Sequence, residues 1–95
     1  MASPRNAIST VRSSIMMKRS GLIRLYQGDN KGGLADYDKA LQYDPADAYS
    51  WNNRAQGKMR LGDKQGAIAD FRKALELSPG LRTAREGLQQ LGALQ

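Results

Sequence analysis

The segment that most resembles a reactive site is the glycine-rich run at 28–33, Gly-Asp-Asn-Lys-Gly-Gly. Loops of this kind hold phosphate groups when they end in Gly-Lys-Ser/Thr, because the lysine and the hydroxyl then contact the nucleotide and its metal ion. This run lacks that ending. It also has too few carboxylates at alternate positions, and no later glutamate, for a calcium loop. We therefore expect the segment to be a turn.

Paired carboxylates are a second possible source of chemistry, and Asp36 and Asp38 form one such pair. Residues two apart on a helix point in different directions, so these carboxylates diverge and acid–base catalysis is not expected. The chain has no cysteine and no histidine, which removes disulfides, thiolate and imidazole nucleophiles and the usual zinc ligands. The sequence predicts a protein that is not an enzyme and has no cofactor.

The positive charge of the chain is concentrated at its start. The 95 residues have a net charge of +6, and residues 1–28 hold five cations and no acid: Arg5, Arg12, Lys18, Arg19 and Arg24. Four interpretations stay open: a long helix packed on the rest of the chain, a targeting or membrane-surface segment, a nucleic-acid contact, or an added leader. We favour the helix, and expect neither nucleic acid nor a membrane as the partner. We expect a cytoplasmic location, with organelle targeting left open.

The elements that position these residues repeat with a period of 34 residues. Residues 28–45 and 62–79 are identical at nine of eighteen positions, far more than composition alone would give. Glycines that suit helix ends and aspartates that suit helix starts fall at the same place in both copies. No apolar run is long enough for a membrane-spanning helix. The sequence predicts an all-α chain of about five helices, at 5–27, 31–43, 47–60, 65–77 and 81–93.

The second helix of each copy has apolar residues at the spacing of one buried helical face. In the first copy they are Leu34, Tyr37, Ala40 and Leu41, and in the second Ala67, Ile68, Phe71, Ala74 and Leu75. Pro45 and Pro79 then end the two helices, because proline cannot continue a helix. At the C-terminus, Leu81, Ala84, Leu88, Leu91 and Leu94 predict an amphipathic capping helix, and Ile8, Val11 and Ile15 extend the first helix upstream.

This pattern resembles the tetratricopeptide repeat, with Ala-x-x-x-Phe/Tyr-x-x-Ala in the second helix and a closing proline. The resemblance implies a right-handed helical-hairpin solenoid, with a degenerate repeat at 14–47, a well-matched repeat at 48–81, a basic extension at 1–13 and a capping helix at 82–95. The second repeat departs at Arg54 and Lys58, where Leu and Tyr are usual. The implied structural core comprises Tyr37, Ala40, Pro45, Trp51, Ala55, Ala67, Phe71, Ala74 and Pro79.

The same resemblance implies a protein-binding groove lined by the first helices of successive units. Its residues here would be Ile15, Lys18, Leu22, Leu25, Tyr26, Tyr49, Asn52, Asn53, Gln56, Met59, Arg60, Thr83, Glu86 and Gln90. Some members of the family hold a chaperone tail carboxylate with five basic and amide side chains. Lys18 and Asn53 occupy two of those five positions. The other three hold Leu22, Thr83 and Gly87, which cannot donate charged hydrogen bonds to a carboxylate.

We therefore predict a non-catalytic module that binds a partner peptide or helix on its concave face. The alternative is a self-association unit. In that case the long first helix and the degenerate first repeat pack on, or swap with, a second copy of the chain, which would be a homo-oligomer.

Overall fold

The computed structural model describes residues 4–93, and the side chains of residues 15–93 among them. It contains five α-helices: α1 (Pro4–Tyr26), α2 (Asn30–Tyr43), α3 (Ala48–Arg60), α4 (Lys64–Leu77) and α5 (Arg82–Gln90). No strand occurs within residues 4–93. The predicted all-α class is confirmed. Helix bounds agree to one residue, except that α5 ends at Gln90 rather than at 93.

The two hairpins have the same N-terminal caps. The Asp29 carboxylate accepts a hydrogen bond from the Gly32 amide at 2.9 Å, which satisfies a free N–H in the first turn of α2. The Asp63 carboxylate accepts from the Gly66 amide at 2.9 Å and does the same for α4. The segment at 28–33 is therefore a turn and a helix start, as its sequence predicts.

The first helix of each hairpin, and α5, end in the same C-terminal motif. Gly28 and Gly62 have φ of 83°, and Gly92 has φ of 71°, a conformation that residues with a Cβ rarely adopt. The residue after each glycine donates its amide back to the last turn, as in Asp29 N to Arg24 O at 2.7 Å. This Schellman motif ends the helix. Gly92 is why α5 stops sooner than its apolar spacing suggests.

The helices stack in chain order into a solenoid. Each helix packs against the next, α1 also contacts α3, and α3 also contacts α5, whereas within residues 4–93 α2 and α4 do not touch. The first helices of the hairpins are thus closer together than the second helices. A stack with that spacing curves toward α1, α3 and α5, which line its concave side.

The core lies between the helices of each hairpin and between neighbouring hairpins. Tyr37 and Phe71 are fully buried, and the small residues at the close approaches are buried with them: Ala40, Ala55, Ala67 and Ala74. Trp51 is only half-buried. Its indole Nε1 donates to the Pro45 carbonyl at 2.8 Å, and the Arg54 guanidinium lies 4.8 Å from the ring centroid.

The placement of Pro45 and Pro79 in the core is wrong, because both prolines are exposed. They lie in the turns after α2 and α4, where a fixed φ and a missing amide end a helix without any burial. Their carbonyls are the useful groups. The Pro45 carbonyl accepts from Trp51, and the Pro79 carbonyl accepts from Arg85 Nη2 at 3.3 Å.

The ends of the chain carry predictions that fall outside the described side chains, namely those for Ile8, Val11 and Leu94. Within the described part of the chain, no helix combines the length and the apolarity needed to cross a bilayer. On α5, Ala84 and Leu88 are buried against the second hairpin, and Leu81 is buried just before its first turn. This helix closes the C-terminal end of the core.

Candidate binding groove

Two adjoining clefts run along the concave side. The larger, of about 320 Å³, lies between α3 and α5 and is lined by Gln56, Met59, Arg60, Phe71, Thr83, Glu86, Gly87 and Gln90. The smaller, of about 40 Å³, lies between α1 and α3 and is lined by Leu22, Leu25, Tyr26, Gln56 and Arg60. Gln56 and Arg60 belong to both. We call the two clefts together the groove.

The base of the larger cleft holds Met59 and the buried Phe71 ring, which α5 approaches closely. A Cβ added at Gly87 would lie 2.6 Å from the Phe71 Cε2 atom, so only glycine lets α5 lie against that ring. The rim is polar, with the side chains of Gln56, Thr83 and Gln90 around the opening. An apolar floor with a few amide groups on its rim suits an apolar side chain whose flanking peptide groups need hydrogen bonds.

Arg60 separates the two clefts and ties α3 to α1. Its Nη1 donates to the Leu25 carbonyl at 3.0 Å, near the C-terminal end of α1. The same carbonyl accepts from the Gly28 amide at 3.1 Å, and a cation at a helix C-terminus complements the helix dipole. The last turn of α3 thus places the positive charge of Arg60 between the two clefts, and one of its N–H groups already donates to the Leu25 carbonyl.

The structure brings most of the predicted groove residues to these clefts. Leu22, Gln56, Met59 and Arg60 line them, together with the predicted Tyr26, Thr83, Glu86 and Gln90. Tyr49 is exposed on the first turn of α3 and lines neither cleft. Asn53 and Ile15 also lie outside both. The groove side chains therefore come from the last two turns of α1, the second half of α3, and α5.

Two predicted groove residues, Leu25 and Asn52, are buried. Leu25 is 5% exposed, because its side chain fills the space beside the two glycines at Gly33 and Gly57. It forms only the base of the smaller cleft. Asn52 is 3% exposed, and its Nδ2 donates to Asn53 Oδ1 at 3.3 Å within the same helix. The prediction for Asn52 was wrong because its side chain is buried, whereas Leu25 belongs both to the core and to the lining of the smaller cleft.

Lys18, predicted to face the ligand, binds Asp47 instead. The Nζ to Oδ2 distance is 2.9 Å, and the Ser50 hydroxyl donates to the same carboxylate oxygen at 2.9 Å. Burial alone would raise the pKa of Asp47, but the hydrogen bonds from Lys18 and Ser50, the Lys18 charge and the Tyr49 amide together lower it. Lys18 links α1 to the N-terminal cap of α3.

An ionic network around Arg54 of α3 is the main feature that the sequence did not predict. Arg54 donates to both carboxylate oxygens of Asp70, at 2.8 and 3.0 Å, and to Asp38 at 2.8 Å. Lys58 lies 3.0 Å from Asp70. The hydrogen bonds to Asp70 raise the pKa of Arg54 despite its partial burial. One signal was available: Asp38, Arg54 and Asp70 are evenly spaced along the chain, on three successive helices.

Metal binding has no visible basis in the described part of the chain. No group of three or more histidine, cysteine, aspartate or glutamate side chains is placed to hold an ion there. The carboxylates that lie close to α3 are already bound to Arg54, Lys58 and Lys18. The groove offers amides, one guanidinium, the Glu86 carboxylate and apolar side chains at its base, which are binding groups.

Comparison with known proteins gives a family match and several structural neighbours. Residues 48–81 match the family model of the tetratricopeptide repeat. The chain is similar to the TPR2B domain of yeast Sti1, solved as a pHsp70 complex, with a TM-score of 0.82 and 24% identity over 84% of this chain and 64% of that one. It thus spans just under two thirds of that neighbour. No curated protein matches the chain in sequence.

Two further solved structures are similar. The Arabidopsis OM64 TPR domain has a TM-score of 0.81 and 22% identity, over 87% of this chain and 72% of that one. The first TPR of Spaghetti (RPAP3), bound to the HSP90 peptide SRMEEVD, has a TM-score of 0.75 and 25% identity, over 86% and 71%. With a repeat matched by the family model and its helices arranged as in these domains, the chain has the tetratricopeptide repeat fold and carries a tetratricopeptide repeat at residues 48–81.

Proposed function

We propose that the chain is a non-catalytic protein-interaction module that binds an extended peptide segment of a partner in its concave groove. The observation that carries the proposal is the larger cleft between α3 and α5, which has the half-buried Met59 and the buried Phe71 ring at its base and amide side chains at its border. Surfaces of this composition are typical of recognition sites for peptides and small ligands.

The residues suggest which ligand chemistry fits. An apolar side chain of the peptide would lie over Phe71 and Met59 at the cleft floor, and the rim amides of Gln56 and Gln90 would bind the peptide backbone. Glu86 and Arg60 carry opposite charges on the same rim, so the cleft selects no strongly charged segment. We therefore expect a largely neutral peptide with one or two apolar anchors.

Two of these neighbours were solved in complexes, one with pHsp70 and one with the HSP90 peptide SRMEEVD. This chain lacks most of a carboxylate clamp, and its one lysine at a clamp position is held by Asp47 at 2.9 Å. We therefore expect no preference for a free C-terminal carboxylate. SRMEEVD with a free terminus should bind no more tightly than its amide, and at least tenfold tighter binding of the free acid would contradict this.

The main test is selection of ligands from a random twelve-residue peptide library against the whole chain. The dissociation constants of the selected peptides are then measured by isothermal calorimetry. The pair Gln56→Ala and Gln90→Ala removes two rim amides, and we expect at least tenfold weaker binding, since each lost hydrogen bond contributes about 1 kcal/mol.

The matched control is the pair Gln42→Ala and Gln65→Ala, which removes two exposed amides on α2 and α4, away from the groove. The control should bind the selected peptides as tightly as the wild type. Equal losses in the two pairs, or a library that yields no peptide sensitive to the groove pair, would refute the groove as the binding site. Circular dichroism melts establish that all four substitutions leave the fold intact.

A further inference from the structure

The first helix has an uncovered face that the third helix does not. On α3 this face packs on α2: Ser50 is fully buried, Arg54 binds Asp38 at 2.8 Å, and a Cβ at Gly57 would lie 2.9 Å from Leu34 Cδ2. The 34-residue period maps these positions onto Met16, Ser20 and Ile23 of α1. We call the surface at these three residues the open face of α1.

The open face is exposed and partly apolar. Met16 is 63% exposed and Ile23 is 55% exposed, although their counterparts Ser50 and Gly57 are buried. They lie seven residues apart, about two helical turns, so they share one side of the helix. On α3 the corresponding positions are covered by the preceding helix, α2. On α1 they hold two large apolar side chains, and no helix in the described part of the chain covers them.

An arginine lies beside these two residues. Arg19 is three residues after Met16 and four before Ile23, which places it next to both on α1. In the sequence it follows Arg5 and Arg12 at intervals of seven residues, and we call these three arginines the arginine row. Arg19 is exposed and forms no ion pair with any described residue. Residues 1–28 contain no acid that could neutralise the row.

We propose that the open face of α1 docks an acidic amphipathic helix of a partner protein, lying lengthwise along α1. The apolar side of that helix would cover Met16 and Ile23. Its carboxylates, repeated every seven residues, would match the arginine row in the way that flanking charges pair in coiled coils. This surface is distinct from the groove, which faces the concave side.

A second copy of this chain is the less suitable occupant. None of the five helices has a net negative charge: α2 is neutral, α4 and α5 are each +1, α3 is +3 and α1 is +5 by residue count. Packing α1 on a second α1 would place the two arginine rows against each other. Like charges at that distance destabilise an interface, most strongly at low salt.

The test uses the whole chain and a designed probe. The probe is a fluorophore-labelled helical peptide of 21 residues. Its leucines are spaced alternately three and four residues apart, and glutamates occupy the positions that flank this leucine stripe. Its partner probe has lysine in place of every glutamate. Fluorescence anisotropy at 50 and 300 mM salt should show binding of the acidic probe only, at least fivefold weaker at the higher salt because exposed charges are screened.

Two variants address the face directly. The double variant Met16→Gln and Ile23→Gln removes the apolar contacts and keeps good helix formers, and Arg19→Glu reverses one charge of the row. Each should weaken binding of the acidic probe at least tenfold. The matched controls, Leu77→Gln and Arg72→Glu on α4, also change one exposed apolar and one exposed cationic residue. They should bind the probe as the wild type does.

Each other outcome overturns the proposal. Equal binding of the two probes, or equal losses in the face variants and the controls, would mean that no acidic helix site exists there. A single-stranded RNA oligonucleotide that binds through Arg19 while the acidic probe does not would assign the row to nucleic acid. Sedimentation that shows a dimer dissociated by Met16→Gln and Ile23→Gln would assign the face to a second copy. Groove variants that abolish probe binding would place the site on the concave side.

Discussion

The two hairpins have the same caps and turns but differ in what fills the space between helices. In the second hairpin, Phe71 packs on Gly87 within an apolar cluster of described residues that runs from Ala48 to Leu88. In the first, Tyr37 packs on Gly21, and its hydroxyl lies buried beside Asn53 without a well-formed hydrogen bond. Within residues 15–93, four buried polar side-chain atoms have no hydrogen-bond partner; three belong to the first hairpin, at Asn30, Asp36 and Tyr37, and one to α3, at Asn52.

This difference shows that the stack is not equally stable along its length. The second hairpin and α5 share one apolar core, whereas the first hairpin joins α3 through Leu25 and Leu34 beside Gly57 and through polar contacts such as Lys18 to Asp47. In repeat proteins each unit is stabilised by its own packing and by its neighbours. We infer that the first hairpin unfolds more easily than the second.

The largest effect should come from Phe71→Ala. Removing a fully buried ring costs about 3 to 5 kcal/mol, as much as the whole stability of a small domain, so cooperative melting should be lost. Tyr37→Ala should loosen the first hairpin and change the environment of Trp51 less than Phe71→Ala does. Trp51 is the sole tryptophan, so its fluorescence reports the second hairpin. If both variants abolish the melt alike, the two hairpins are equally important for stability.

Arg54→Met should have the next largest effect. It leaves the Asp70 carboxylate, whose side chain is 4% exposed, with Lys58 as its remaining partner. We expect a loss of about 2 to 3 kcal/mol in urea unfolding, mainly the penalty for a buried charge that has lost its best donor. Combining Arg54→Met with Asp70→Leu should recover most of that loss. A double variant as unstable as the single one would mean that the guanidinium contributes through packing on Trp51.

Tyr37→Phe makes the first hairpin resemble the second at this position. Burial raises the pKa of Tyr37, which reflects the missing solvation of the hydroxyl, and Asn53 beside it only partly offsets the rise. Removing a buried hydroxyl without a full partner should stabilise the chain by up to about 1 kcal/mol. Phe71→Tyr is the reverse change, and should destabilise because Gly87 offers no polar group there. A stabilising Phe71→Tyr would contradict the comparison.

The smallest effect concerns pH and the Lys18 to Asp47 pair. The pKa of Asp47 is lowered in the folded chain, so its ionised form adds stability above its ordinary pKa of about 4, and this contribution is lost as pH falls through the lowered pKa. Asp47→Asn should therefore be less stable than the wild type at pH 6, by under about 1 kcal/mol, and equal to it near pH 2. Melting temperatures measured across this range decide, and a difference that persists at pH 2 would contradict the ionic origin.

The sequence predicted the helices well because their ends are decided locally. Glycines with positive φ and capping aspartates act within a few residues, and the 34-residue period repeats them. The site was predicted less well, since exposure depends on how closely the helices approach. Leu25 packs against Gly33 and Gly57, Asn52 is buried on α3, and Lys18 pairs with Asp47 beside α3. The Arg54 network joins three helices, which no local pattern describes.

Arg60 connects the concave groove to the end of α1 through its hydrogen bond to the Leu25 carbonyl. An anionic ligand that recruited this guanidinium would compete with that carbonyl and loosen the seam between α1 and α3. A neutral ligand would leave the seam closed. The rate at which amide protons of α1 exchange with solvent would then distinguish the two kinds of ligand. Only the anionic ligand would take the Arg60 donor away from α1, and exchange in α1 would then be faster.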